Sequence, residues 1–157
     1  MSINSKPFNP GHSPISKETG QEDLTPRCHV GFSILGSSLD FDGISAELNQ
    51  PPASTGRAGS QRATGPLLED VWNIASPLAP LRPLDEHLEW LRKQLEPHIE
   101  FLKNLSRTAD MRIYIGFTLS REQNGFAIPA ELIRLFASFN AYIQMYILCN
   151  FGEDLAD

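Results

Sequence analysis

Cysteine is scarce in this chain of 157 residues, with Cys28 and Cys149 its only two. Two thiols cannot staple a small scaffold or complete a four-thiolate zinc site, so a disulfide-rich secreted class is excluded. Positive charge is also in short supply. Lys and Arg number 13 against 19 Asp and Glu, a formal net charge of −6. There is no basic footprint for a phosphate backbone or an anionic membrane surface, so neither nucleic acid nor membrane is expected as a partner. Long hydrophobic runs are missing too. No window approaches the roughly 20 apolar residues of a membrane-spanning helix. Met1 to Lys17 alternates Ser, Asn, Pro, Gly and Lys without the apolar centre of a secretion signal. What remains is an ordinary globular composition, 41% apolar and 20% charged. At this length one domain buries about two-thirds of the surface its unfolded chain exposes. The expectation is a reduced, cytoplasmic protein with a single domain over 27–150.

Residues 1–26 are rich in Ser, Pro, Gly and charge and read as a disordered tail, as do residues 151–157 at the other end. Cys28 to Leu35 alternates with period two and predicts a strand. Leu39-Asp40 then opens a short helix. Asp40 is placed to cap it, and Leu39 with Ile44 can form a hydrophobic staple. Residues 49–66 hold nothing apolar larger than Ala and predict a flexible loop, in which Arg57 and Arg62 are binding candidates on an otherwise acidic chain. Val71 to Ala75 predicts a strand with Trp72 and Ile74 facing the core. Leu84, Leu88, Leu91, Leu95, Ile99, Leu102 and Leu105 form the apolar stripe of a long helix over 85–105, which Pro97 should break near Glu96. Arg112 to Ser120 alternates again. Asn124-Gly125 suggests a hairpin that folds Phe126 to Ile128 back as a short strand. Pro129 starts a helix that Asn140 ends in a left-handed conformation, and Tyr142 to Cys149 is the last strand.

Two segments begin alike: Gly31-Phe32-Ser33-Ile34 and Gly116-Phe117-Thr118-Leu119. Each lies in a predicted strand, and each is followed by a helix and a further apolar run. The chain therefore reads as α+β, a ferredoxin-like sandwich of two βαβ units with the long helix inserted between them. The first and last strands are then antiparallel neighbours, which should bring Cys28 beside Cys149. Alternation sends Val30, Phe32, Ile34, Ile113, Ile115, Phe117, Ile143, Met145 and Ile147 towards the helices. His29, Gly31, Ser33, Tyr114, Gly116, Thr118, Tyr142, Gln144 and Tyr146 take the opposite face. All three tyrosines of the chain share that face, with the two glycines as a trough of bare backbone between them. It is either a recognition face, since tyrosines offer large rigid area with a polar tip, or a bed on which the long helix packs. The binding candidates are accordingly His29, Gly31, Tyr114, Gly116, Tyr142, Gln144, Tyr146, Arg57 and Arg62.

No catalytic or metal-binding set emerges. His87 and His98 share a helix face but stand about 16 Å apart at 1.5 Å per residue, too far to share a metal. Cys28 and His29 point to opposite sides of their strand. Ser45 and Ser76 have no base nearby in sequence. The glycines between Gly56 and Gly65 lack the Lys-Ser/Thr ending of a phosphate loop. Asp40 and Asp42 are first-turn acids, and a hydrolase acting through them is the weakest option. No cofactor is expected.

Phe32-x-Ile34, Leu39-Asp40 with Ile44-Ser45-x-x-Leu48, Pro51, and Trp72-x-Ile74-x-Ser76 form one pattern with Leu88, Leu91 and Leu95-x-Pro97. With the helix 129–139 and the strand ending at Tyr146, it resembles the bacterial domain of unknown function 4279 family across about Cys28 to Cys149. The resemblance rests on structural residues and carries no catalytic motif. It implies a small acidic protein like those encoded beside toxins as immunity proteins. The expected function is a non-catalytic protein-binding module, in its sharpest form an immunity protein neutralising a toxin domain. The alternative is a small-molecule-sensing regulatory domain with a pocket beside Gly31 and Gly116.

Overall fold

The computed structural model describes residues 27–119 and 126–149. Within them the chain builds strand β1 (Arg27–Gly36), helix α1 (Phe41–Glu47), and short strands β2 (Ser54–Gly56), β3 (Gln61–Arg62) and β4 (Gly65–Pro66). Strand β5 (Asp70–Ala75), helix α2 (Leu84–Leu95), a 3₁₀ turn over Glu96–His98 and helix α3 (Ile99–Leu105) follow. Strand β6 (Asp110–Leu119), helix α4 (Ala130–Ser138) and strand β7 (Tyr142–Cys149) complete it. The fold is α+β, with a mostly antiparallel five-stranded sheet.

Local chemistry explains several helix ends. The Asp40 carboxylate accepts the Gly43 N–H at 3.0 Å and caps α1, while Leu39 and Ile44 are both buried beside it. Pro97 lacks the N–H an uninterrupted helix requires, and the long helix gives way to the 3₁₀ turn at Glu96. Asn140 ends the last helix at φ 57°, in the left-handed region that Asn tolerates.

The sheet order is β2-β5-β1-β6-β7. It departs from the ferredoxin-like order expected of two βαβ units. The central antiparallel pair β1–β6 is as expected, but the outer strands have changed places. The first half returns beside its own first strand, antiparallel, with Gly31 opposite Ala75 and Gly36 opposite Asp70. The second half crosses over through α4 and lays β7 parallel to β6, Tyr114 beside Gln144 and Gly116 beside Tyr146. Cys28 therefore pairs with Phe117, and Cys149 pairs with Leu119 on the far side of β6. The expected Cys28–Cys149 approach does not occur, because β6 separates their strands. Period-two alternation dictates which face a side chain takes and leaves the identity of the neighbouring strand open.

Residues 49–66, expected as a loop without structure, contain β2, which joins the sheet along β5, and the β3–β4 ladder. Phe126 to Ile128 forms no strand, and the Asn124-Gly125 hairpin lies outside the described residues. One apolar core joins sheet to helices. Val30, Phe32, Ile34, Trp72, Ile74, Ile113 and Ile115 are buried with Leu88, Leu91, Leu95, Leu102, Leu132, Phe136 and Phe139. Ile143 packs at its margin, but Met145 and Ile147, expected under the helices, are about half exposed. Strand β7 reaches past the cover that α4 provides. No helix among the described residues is long and apolar enough to cross a membrane.

Candidate functional site

Strand pairing places the tyrosines together. Arg112 lies between Ser33 and Tyr142, Tyr114 between Gly31 and Gln144, and Gly116 between His29 and Tyr146. Directly paired residues point to the same side of a sheet, so all nine form one surface opposite the helices. The exchange of outer strands leaves this surface intact, since it depends on parity alone. Tyr114, Tyr142 and Tyr146 are 38%, 45% and 47% exposed, so the long helix does not lie over them. Its buried leucines belong to the opposite layer. Of the two uses open to this face, packing under the long helix is removed.

The rings are arranged by contacts among themselves. Tyr114 and Tyr146 have centroids 5.2 Å apart at 49°. Gln144 Nε2 donates to the Tyr146 hydroxyl at 2.5 Å. The Arg112 guanidinium stands 5.3 Å from the Tyr142 ring centroid, a cation–π distance, while its buried Nε has no hydrogen-bond partner among the described residues. Three partly exposed tyrosines can bury apolar ring area and still hydrogen-bond a partner.

The glycine trough is narrower than expected. A Cβ at Gly31 would stand 2.8 Å from the Ile74 carbonyl oxygen, so the backbone that approaches there belongs to β5. At Gly116 the Tyr114 hydroxyl already occupies the space, 3.0 Å from a Cβ position. Gly31 thus serves the close packing of β1 on β5, while at Gly116 the neighbour is only the end of a side chain.

Arg57 and Arg62 lie apart from this face. Arg57 Nη1 donates to Asp70 Oδ2 and to the Leu39 carbonyl, both at 2.7 Å, and its Cζ sits 3.8 Å from the Phe41 ring centroid. Asp70 also accepts the Ala58 N–H at 2.9 Å and the Leu39 N–H at 3.0 Å. These bonds, Ala58 first and Arg57 next, hold its carboxyl below the usual carboxylate range. The arrangement ties residues 57–58 and the α1 entrance to the start of β5. Nothing in the sequence marks Asp70, because an Asp before an apolar strand looks like any turn residue. Arg62 is exposed and donates to the Thr55 carbonyl at 3.2 Å.

Ser76 has a base after all. His87 Nδ1 lies 2.9 Å from Ser76 Oγ, a contact that sequence distance hides because it joins the end of β5 to α2. The imidazole is buried, and among the described residues its Nε2 has no hydrogen-bond partner. Burial pushes its pKa below the ordinary histidine value, aided by the nearby His29 and opposed by the Ala79 carbonyl and Glu86. The folded protein thus binds fewer protons here than the unfolded chain. Stability from this group is complete above about pH 7 and is lost as pH falls through about 6.5, the unfolded value. The urea midpoint should therefore drop between roughly pH 7.5 and 5.5, and His87→Leu should flatten that dependence. An equal drop in the variant would assign the effect to other groups.

No curated protein and no solved structure matches the chain. The model of one family, described as a domain of unknown function (DUF4279), matches residues 26–150. That match spans every described element from β1 to β7, and the chain belongs to the DUF4279 family.

Proposed function

We propose that this chain is a non-catalytic protein-binding module whose recognition surface is the tyrosine face, and that it acts inside a bacterial cell as an immunity protein covering a toxin domain. The observation that carries the proposal is the exposure of Tyr114, Tyr142 and Tyr146 on the sheet face opposite all the helices. Aromatic residues with a polar tip are enriched at protein interfaces and among the side chains that dominate binding energy. The acidic balance favours a basic partner. Asp85, Glu89, Glu96 and Glu131 line a groove between α2 and α4 in which Arg92 is the single basic residue. The non-catalytic part of the proposal draws on the burial of His87, whose Nε2, among the described residues, hydrogen-bonds no carboxylate such as orients the histidine of a catalytic triad. A small-molecule sensor would need a hollow beside Gly31 and Gly116; at Gly31 the Ile74 carbonyl stands close, and at Gly116 the mobile end of the Tyr114 side chain does.

Co-expression with the product of the adjacent gene, followed by calorimetry of the purified pair, tests the proposal. The double variant Tyr114→Ala, Tyr146→Ala should melt like the parent and bind about 100-fold or more weakly, the loss typical of central aromatic anchors. A neighbour that forms no complex removes the immunity role. Unchanged affinity in the double variant removes the tyrosine face.

A further inference from the structure

The two edges of the sheet are built differently. Strand β2, at one end, has three residues and follows Pro51-Pro52, the short and interrupted form that protects a sheet edge. Strand β7, at the other, has eight residues, Tyr-Ile-Gln-Met-Tyr-Ile-Leu-Cys, with no charge, proline or glycine. Among the described residues its outer side pairs with no strand. Its side chains are exposed on both faces. Tyr142, Tyr146 and Leu148 stand on the tyrosine face and Met145 and Ile147 on the helix side. Helix α4 extends this apolar edge. At 100° per residue, Ile133 and Ala137 lie on the flank turned away from Glu131 and Leu135, which face α2 across the acidic groove. Both are exposed.

We propose that β7 is a homodimer interface, pairing antiparallel with β7 of a second copy to make one continuous ten-stranded sheet. The occupant follows from charge and register. Two chains of net charge −6 repel overall, but β7 carries no charged residue and so adds no local repulsion at the seam. A two-fold axis through Met145 sets Met145 against itself, Ile143 against Ile147, Gln144 against Tyr146 and Tyr142 against Leu148. Every cross-strand pair is then apolar or hydrogen-bonding, and no like charges oppose. The same axis brings the Ile133–Ala137 flanks of the two α4 helices together above Met145 and Ile147, and the interface is isologous and closed. Both tyrosine faces end on one side of the joined sheet. The pairing stands on the β7 edge independently of the protein-binding role, so a monomer that still binds its partner would sink the pairing alone.

Sedimentation equilibrium of the full chain should give twice the 17.5 kDa of one copy. Met145→Lys places a charge on the edge, and Ile133→Glu places one on the α4 flank. Each should weaken the dimer about 100-fold or more, with Ile133→Glu melting as a folded protein. In a Cys149→Ser background, Met145→Cys should form a disulfide-linked dimer on oxidation while Ser54→Cys, on the opposite edge, should not. That trap and Ile133→Glu decide the matter if Met145→Lys fails to fold. A monomer at about 100 µM, some hundredfold above a micromolar dissociation constant, would overturn the proposal. So would a dimer unaffected by Ile133→Glu, or a Met145→Cys protein that does not cross-link.

Discussion

Trp72→Ala should lower the folding stability by about 3–5 kcal/mol, the range for removing a large buried aromatic whose cavity cannot fully collapse. Trp72 is fully buried in β5, opposite Ile34 on β1 and Thr55 on β2. Its indole also reaches α1. Nε1 donates to Ser45 Oγ at 3.0 Å, and the Ser45 hydroxyl donates to the Phe41 carbonyl at 2.7 Å. One side chain thus fills the core and fastens the first helix to the sheet. Trp72→Phe keeps most of the volume and loses the hydrogen bond, so its cost should be the smaller of the two. Urea unfolding followed by circular dichroism measures both. A Trp72→Ala midpoint equal to the parent's would show that the indole is not a core element.

The second large effect separates two glycines that look equivalent in the sequence. Gly31→Ala should cost about 1–3 kcal/mol, because its methyl would meet the Ile74 carbonyl and force β5 away from β1, an overpacking strain. Gly116→Ala should be nearly neutral. Its methyl would meet the end of the Tyr114 side chain, which can swing outward. Paired unfolding curves decide the comparison. Equal losses would mean that the β1–β5 contact is looser than the structure has it, while a harmless Gly31→Ala would return that position to the list of open ligand-facing backbone.

Alternation made the tyrosine face legible before any strand was paired. Because side chains repeat every two residues, the positions of Tyr114, Tyr142 and Tyr146 relative to Ile113, Ile143 and Met145 are independent of strand order. Pro97 and Asp40 were legible for the same kind of reason: a missing donor ends a helix, and a short carboxylate starts one. Strand order was not. Nothing local distinguishes a β7 that crosses to the far side of β1 from one that stops beside β6, since both leave the same residues facing the core. The exposure of Met145 and Ile147 was not legible either, because it depends on how far α4 covers the edge strand. The Arg57–Asp70 pair and the Ser76–His87 pair were invisible for another reason. Each joins residues eleven or more positions apart across elements whose packing had first to be known.

Tyrosine nitration of the free, native protein, mapped by peptide mass spectrometry, tests the central claim most directly, since modification requires the ring to meet solvent. Tyr114, Tyr142 and Tyr146 should all react in the folded chain, and the complex with a partner on this face should protect them. Resistance of Tyr114 and Tyr146 in the free protein, relieved only on unfolding, would mean that the face is already covered and would contradict its role as an open recognition surface.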